Sequence, residues 1–261
     1  MPSLLVDDQA GVRTFTLNRP EAFNSLTTEL KSTLRDALTE AAEDQDVRAV
    51  VLTGAGKAFC AGQDLKEHVA ALQSADPAPF STVAEHYNPI VRAITSMPKP
   101  VIAAVNGMAA GAGASFAYAC DLRVMSRSAK FLMAFATIGL TADSGASWTL
   151  PRLIGYGRAM ELMLLAKPVT AEQALSIGMT TEVVDDGEAL STAQALASRM
   201  ATGPTTGYAK IKEALLTAAG ADLEKALATE EAAQSQLGAT TDHREAVDAF
   251  VAKRTPTFTG H

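Results

Sequence analysis

The sequence predicts an α/β fold with a helical C-terminal extension, on three observations. Strand and helix patterns alternate through its first half, glycine-rich segments stand where strands end, and beyond about residue 170 the composition turns to Ala, Glu, Gln and Leu at helical spacing. At 261 residues, 48% hydrophobic and 20% charged, the chain suffices for one large core. We read it as an α/β core over 1–202 and a helical region over 203–261, the boundary at Gly203-Pro204 being one of composition.

Val12-Arg13-Thr14-Phe15-Thr16-Leu17 reads as a strand ended by Asn18-Arg19-Pro20, and 47–53 as a second ended by Gly54. Between them Leu30, Leu34, Leu38 and Ala41 recur on one helical face. An amphipathic stretch over 80–95 stops at Met97-Pro98-Lys99-Pro100 and leads into the apolar strand 101–105. A helix of small residues over 111–120 and a strand over 122–126 follow, and Trp148 and Leu150 begin a further helix. Helix signals then occupy 171–177, 188–201, 205–219, 223–237 and 244–252, with 180–184 the remaining strand. These Ala- and Glu-rich helices suit a subunit interface or a solvated face equally well. The segment 67–86, rich in Ala, Ser and Pro, predicts a mobile loop or short helices, with His68 and His86 at the surface.

Composition excludes several functions. Lys and Arg number 22 against 29 Asp and Glu, a net charge of −7, so there is no basic field to hold nucleic acid. Asp7 and Asp8 interrupt any leading apolar run, and nothing approaches the ~18 apolar residues of a membrane span, so a cytoplasmic protein is expected. Cys60 and Cys120 are far apart, with no CxxC and no histidine at ligand spacing, which suggests neither disulfide nor metal. Both read as small apolar residues, Cys60 being the better candidate for reactivity.

The chemistry concentrates where strands meet glycine. Val105-Asn106-Gly107-Met108-Ala109-Ala110-Gly111-Ala112-Gly113-Ala114 runs from a strand into a helix whose free N–H groups could hold an anion or a developing oxyanion; close helix packing would demand the same small residues. The dinucleotide fingerprint fails because Phe116 stands where its third glycine belongs. A serine nucleophile at Ser115 lacks the closing glycine of its elbow, and only His243 lies plausibly downstream as a base. The earlier segment Gly54-Ala55-Gly56-Lys57-Ala58-Phe59-Cys60-Ala61-Gly62-Gln63-Asp64-Leu65-Lys66 also follows a strand, and two such loops can aim two N–H donors at one oxygen.

The pair Phe59-Cys60-Ala61-Gly62-Gln63-Asp64-Leu65-Lys66 and Ala103-Ala104-Val105-Asn106-Gly107-Met108-Ala109-Ala110-Gly111-Ala112-Gly113, with Cys120-Asp121-Leu122 after it, resembles the enoyl-CoA hydratase/isomerase (crotonase) superfamily. The resemblance runs from Asn18-Arg19-Pro20 to Phe250-Val251-Ala252-Lys253-Arg254. It implies a ββα spiral and an acyl-CoA thioester substrate whose carbonyl lies between the N–H groups of Gln63 and Ala112. Ala22, Phe23 and Ala61 then match backbone lining the coenzyme, with Asp64, Leu65, Gly111 and Phe135 around the same pocket. Asp64 is expected to fix its loop by local hydrogen bonds. Phe250 and Lys253 match residues near the adenine, often contributed by a neighbouring subunit of a homotrimer or a dimer of trimers. No cofactor is implied beyond the coenzyme A of the substrate.

The resemblance also separates reactions. Hydratases of the family carry two glutamates, and the matching positions here are Ser115 and Phe135, so hydration is disfavoured. Asp143, in Thr141-Ala142-Asp143-Ser144-Gly145-Ala146-Ser147-Trp148, reads on its own as a helix N-cap. It also matches the catalytic aspartate of several isomerases in the family. The family's dehalogenases need a histidine and a tryptophan where Asn88 and Phe135 stand. Residues 134–145 and 252–260 most resemble the ring-epoxide isomerase branch, for which one carboxylate in an apolar setting of Phe135, Ile138 and Leu140 suffices. An enoyl-CoA hydratase and a non-catalytic acyl-CoA-binding protein are the alternatives.

Overall fold

Parallel strands covered on both faces read as unbroken apolar runs. The two such runs in the sequence form β3 (Ala49–Gly54) and β5 (Val101–Val105), buried along their whole lengths. In the computed structural model, which describes residues 1–74 and 78–261, they lie at the centre of a six-stranded sheet. Its order is β1 (Leu4–Gln9), β2 (Val12–Leu17), β3, β5, β7 (Leu122–Ser126) and β10 (Glu182–Val184). β1 and β2 form an antiparallel hairpin, and every other pairing is parallel.

Alternation along the strands divides the core. Val50, Leu52, Val101, Ala103 and Val105 join the larger cluster, to which α1 (Thr28–Glu43) brings Leu30, Leu34, Leu38 and Ala41. Val51, Ile102, Ala104 and Val124 face the other way, against Ala189, Ala193, Ala197 and Ala201 of α8 (Ala189–Ala201). The alanine stripe of α8 is therefore spent inside the chain, and the interface and solvated-face readings do not apply to it.

A second sheet of four strands, β4 (Ala58–Cys60), β6 (Met108–Ala110), β8 (Lys130–Leu132) and β9 (Val169–Thr170), stands beside the first. Each turn of the chain supplies a strand to the large sheet, a strand to the small sheet and then helix. β3 and β4 precede α2 (Leu65–Gln73) and α3 (Asn88–Ser96), β5 and β6 precede α4 (Ala112–Ala119), and β7 and β8 precede α5 (Ala146–Ile154). Successive turns are neighbours in both sheets, which makes the expected ββα spiral. α6 (Tyr156–Leu165) and α7 (Ala171–Ser176) follow, then α9 (Thr205–Ala218), α10 (Leu223–Gly238) and α11 (Thr241–Ala252). Arg48 ties the start of this last region to the core, donating to the Gly203 carbonyl at 2.5 Å and to Thr205 Oγ1 at 2.9 Å. Among the described residues no helix is long and apolar enough to cross a membrane.

Three local readings change. The helix expected from residue 80 opens with a π-turn over Val83–Tyr87 before α3, and His86 within it is buried, with Nδ1 3.3 Å from Thr82 Oγ1, rather than at the surface. The segment 67–86 is helical through Gln73, while its residues 75–77 lie outside those described. β1 and α6 escape sequence reading, β1 because an edge strand with one buried residue shows no alternation.

Asn24 ties the first turn together. Fully buried in a left-handed conformation (φ 57°), it donates from Nδ2 to the carbonyls of Ala55 at 2.9 Å and Ala58 at 2.8 Å, and its Oδ1 accepts from Arg19 N at 2.9 Å. Asn24→Ala leaves these groups unsatisfied and puts alanine where φ is positive, so unfolding free energy should fall by about 2–4 kcal/mol. Urea denaturation measures this, and a loss under about 1 kcal/mol would contradict the assignment.

Candidate active site

After β4 the chain turns at Gly62 (φ 86°) and meets the loop ahead of α1. Leu26 N donates to the Gly62 carbonyl at 2.8 Å and Asp64 N to the Leu26 carbonyl at 3.3 Å, a parallel bridge centred on Gln63. In parallel pairing the residue between two such bonds turns its own N–H to the opposite side. The Gln63 N–H therefore faces away from Leu26. In the next turn β6 ends at Ala110, and Gly111 takes φ 52°, ψ −126°, which side chains forbid. Its N–H is used on the Leu132 carbonyl at 3.0 Å, and α4 begins at Ala112, whose N–H belongs to the unpartnered first turn of a helix.

The two loops touch. A Cβ on Gly62 would stand 2.9 Å from the Ala110 carbonyl and 3.5 Å from Ala112 N. One on Gly113 would stand 2.4 Å from the Cys60 carbonyl and 2.6 Å from its Cβ. Close backbone approach demands glycine at both positions. Cys60 itself is buried, donates from Sγ to the Asn24 carbonyl at 3.2 Å, and burial pushes its thiol up to about 12, so it is no nucleophile.

A cleft of about 460 Å³ opens at this junction, a size suited to a small molecule. Ala22, Ala61, Gln63, Asp64, Leu65, Gly111, Ala112, Phe135 and Asp143 all line it, from widely separated parts of the sequence. Phe23 is 60% exposed beside Ala22 and is not on the wall. Phe250 (85% exposed) and Lys253, at the end of α11, are not part of the cleft within one chain. Of the apolar neighbours expected around Asp143, Phe135 and Ile138 line the cleft and Leu140 does not. Sequence reading missed Arg19, Ser25 and Lys66 on the wall. Arg19 sits in the quoted Asn18-Arg19-Pro20 turn, but nothing in that turn discloses its partner 45 residues on.

That partner is Asp64, the first of two carboxylates on the wall. It accepts from Ser25 Oγ at 2.8 Å, Arg19 Nη1 at 3.0 Å and Lys66 N at 3.1 Å, capping α2. Burial opposes its ionisation, but these donors outweigh burial and hold its carboxyl at about 2. It fixes its loop, as expected. Asp143 is different. Its carboxylate has one hydrogen-bond partner among the described residues, the Ser144 hydroxyl, which donates to Oδ1 at 2.7 Å. Burial raises its carboxyl above the ordinary value, partly offset by that bond. It is not a cap: the residue at the head of α5 is Gly145, with no side-chain bond to the helix. Ser144 (φ 53°) and Gly145 (φ 72°) form a left-handed corner between Asp143 and α5. Ser115 is buried, its hydroxyl donating to the Gly111 carbonyl at 3.1 Å, and Phe135 carries no acid.

A family model described as enoyl-CoA hydratase/isomerase matches residues 7–261. The chain belongs to the enoyl-CoA hydratase/isomerase family. Over its full length it is 46% identical to the 1,2-epoxyphenylacetyl-CoA isomerase of Escherichia coli (strain K12), covering 99% of that protein. It is 42% identical, over 96% of its length and 95% of the relative's, to a Rhodobacter capsulatus protein named "Probable enoyl-CoA hydratase". A crystal structure of a Mycobacterium abscessus protein named for the same family superposes with a TM-score of 0.95 at 44% identity, covering 99% of this chain and all of that one. An enoyl-CoA hydratase from Bacillus anthracis superposes at 0.92 with 34% identity, covering 99% of this chain and all of that one. The spiral is thus the crotonase fold, and the protein is an enzyme of this family.

The raised carboxyl of Asp143 has a measurable sign. The folded state binds its proton more tightly than the unfolded state, so this group's contribution to stability declines as pH rises from the ordinary aspartate value through the folded one. Asp143→Asn keeps the shape without the charge. It should melt at or above the parent's temperature at pH 7, and the difference should vanish below pH ~4. A variant that melts lower at pH 7 would show that the ionised carboxylate is stabilised by its surroundings.

Proposed function

We propose that the protein is an acyl-CoA isomerase in which Asp143 moves a proton and the N–H groups of Gln63 and Ala112 hold the thioester oxygen. One observation carries this reading: of the two carboxylates on the cleft wall, Asp64 is locked in donors and held at about 2, leaving Asp143 alone free to take and return a proton. Addition of water needs one group to activate the water and another to handle the proton at the α carbon. Isomerisation needs one group. Asp143 takes the α proton, the C–H electron pair passes to the thioester oxygen as an enolate, and the same proton returns at another carbon as the double bond moves. Substrate and product share one composition, so no cofactor is needed beyond the coenzyme A of the substrate.

The acyl group we propose follows the E. coli relative, whose name specifies 1,2-epoxyphenylacetyl-CoA. In such a thioester the enolate electron pair can form a double bond from the α carbon to the ring and so open the neighbouring epoxide C–O bond, the freed oxygen taking back the proton from Asp143, again with no change of composition. The apolar wall of Phe135, Ala134 and Ile138 suits an aryl or alkenyl group. We also read Ala22, Phe23 and Ala61 as the rim that meets the coenzyme, and Phe250 and Lys253 as serving a neighbouring subunit's cleft. α9 and α10 bury no residue in this chain and leave Ile211, Leu215 and Leu223 exposed, which supports self-association, here proposed as a homotrimer or a dimer of trimers.

Purified protein mixed separately with the ring-epoxide thioester, a 3-enoyl-CoA and a 2-enoyl-CoA, with products followed by mass and ultraviolet absorbance, tests this reading. Isomerisation keeps the mass, and a gain of one water identifies a hydratase. Asp143→Asn should lower turnover by about 10²–10⁴ with acyl-CoA affinity nearly unchanged. Full turnover in that variant would remove Asp143 from the chemistry, and binding without turnover in the parent would leave a binding protein. Light scattering should give a trimer or hexamer of the 27.2 kDa chain, and a monomer at micromolar concentration would refute the assembly.

A further inference from the structure

Behind the Gln63 loop lies a cation that the proton-transfer chemistry does not use. Lys31, on the cleft side of α1, has its side chain almost wholly buried, at 1% exposure for the residue. Its Nζ donates to Thr82 Oγ1 at 2.7 Å and to Gln63 Oε1 at 3.2 Å, and lies 5.4 Å from the centre of the Tyr87 ring. Tyr87, also buried, donates its hydroxyl to the same Gln63 Oε1. Among the described residues Lys31 makes no ion pair, and Asp64 and Glu67 act on it only at a distance. Burial accordingly lowers its ammonium from the ordinary lysine value. A charge so placed weakens the fold, since methionine of similar length would fill the space without desolvation, and its retention asks for a purpose other than stability.

We propose that Lys31 and Tyr87 form a clamp on the Gln63 side chain that holds the Gln63 backbone N–H aimed into the cleft, with the Lys31 charge favouring the enolate that this N–H receives. The inference rests on the reading of Gln63 as an oxyanion donor. The geometry is specific. Gln63 follows the turn at Gly62, and its backbone is held on one side by the Leu26 bridge. Its side-chain oxygen, which has two lone pairs, meets two donors from two different elements, α1 and the π-turn. The side chain is thus fixed by two residues that are not themselves on the cleft wall, and rotation that would swing the peptide N–H away strains both bonds. A preorganised donor and a fixed charge favour the transition state over the bound substrate, so their loss should appear in kcat. Lys31 and Tyr87 are positioning residues.

The test uses the full chain and whichever of the ring-epoxide thioester and the 3-enoyl-CoA the parent turns over. Lys31→Met should lower kcat by about 10- to 100-fold with KM within about twofold, while the melting temperature holds or rises because a buried charge has gone. Tyr87→Phe should lower kcat with KM held, and the double variant should lose less than the product of the two losses, since both act through one oxygen. An unchanged kcat in folded Lys31→Met overturns the clamp, as does a loss matched by a lower melting temperature. Should Lys31→Met not fold, Tyr87→Phe decides alone: unchanged kcat overturns the proposal. Asp143→Asn, assayed beside them, separates the two readings. If it abolishes turnover while Lys31→Met and Tyr87→Phe keep theirs, the clamp alone fails. If all three keep full turnover, the reading of the site fails with it.

Discussion

The cleft depends on one close contact, the backbone of Gly113 against Cys60. β4 and β6 pair over only a few residues, with a shift of register between Ala58 and Cys60. The approach of α4 to the end of β4 then sets where the Gln63 and Ala112 N–H groups lie relative to each other. A side chain at Gly113 would meet the Cys60 backbone and sulfur at 2.4–2.7 Å. At Gly62 it would meet the Ala110 carbonyl. Two loops separated by nearly fifty residues of sequence come together because four small residues, Gly62, Ala110, Gly111 and Gly113, leave room for the two backbones. Helix α4, buried along its whole length, has no freedom to shift away.

Charge is arranged around that contact in two contrasting ways. Asp64 is surrounded by donors and serves as a rigid anion that pins Arg19, Ser25 and the start of α2. Asp143 is starved of donors, and its surroundings favour the neutral acid enough to make the carboxylate a better base than a free one. The same chemical group performs a structural duty at one wall and stays available for chemistry at the other. The difference is burial with a single compensating donor at Asp143, against several donors and the Arg19 charge at Asp64.

Much of the large sheet was legible because its strands are long enough, and its parallel core apolar enough, to print a pattern. Val12–Leu17, the Leu30–Leu34–Leu38 helix face and the 101–105 run fell where expected. The small sheet was not legible as strands, since Ala58–Cys60, Met108–Ala110 and Lys130–Leu132 span three residues each and show no periodicity. The glycines beside them nonetheless marked the loops that matter. At the site, the resemblance located Gln63, Ala112 and Asp143, while the locking of Asp64 and the exposure of Asp143 to few donors became visible only in three dimensions. His86 misled because a polar residue reads as surface, and here it turns inward from the π-turn ahead of α3. The stripe of α8 was ambiguous because alanine suits close helix-to-sheet packing and helix-to-helix packing equally.

The spiral also divides the labour of the site by turns. The first turn, β3 and β4, delivers Gln63; the second, β5 and β6, delivers Ala112; the third, β7 and β8, delivers Phe135 and Asp143. In the proposed reading both backbone donors therefore lie in the first two turns, and the third turn braces the second of them, since β8 pairs with β6 and the Leu132 carbonyl accepts the Gly111 N–H at 3.0 Å. In that reading the loop between β8 and α5 carries the proton-handling side chain, while the Leu26 bridge to Gln63 and the approach of Gly113 to Cys60 are made without it. On that reading backbone contacts set the donor geometry, and a single loop sets the acid/base group.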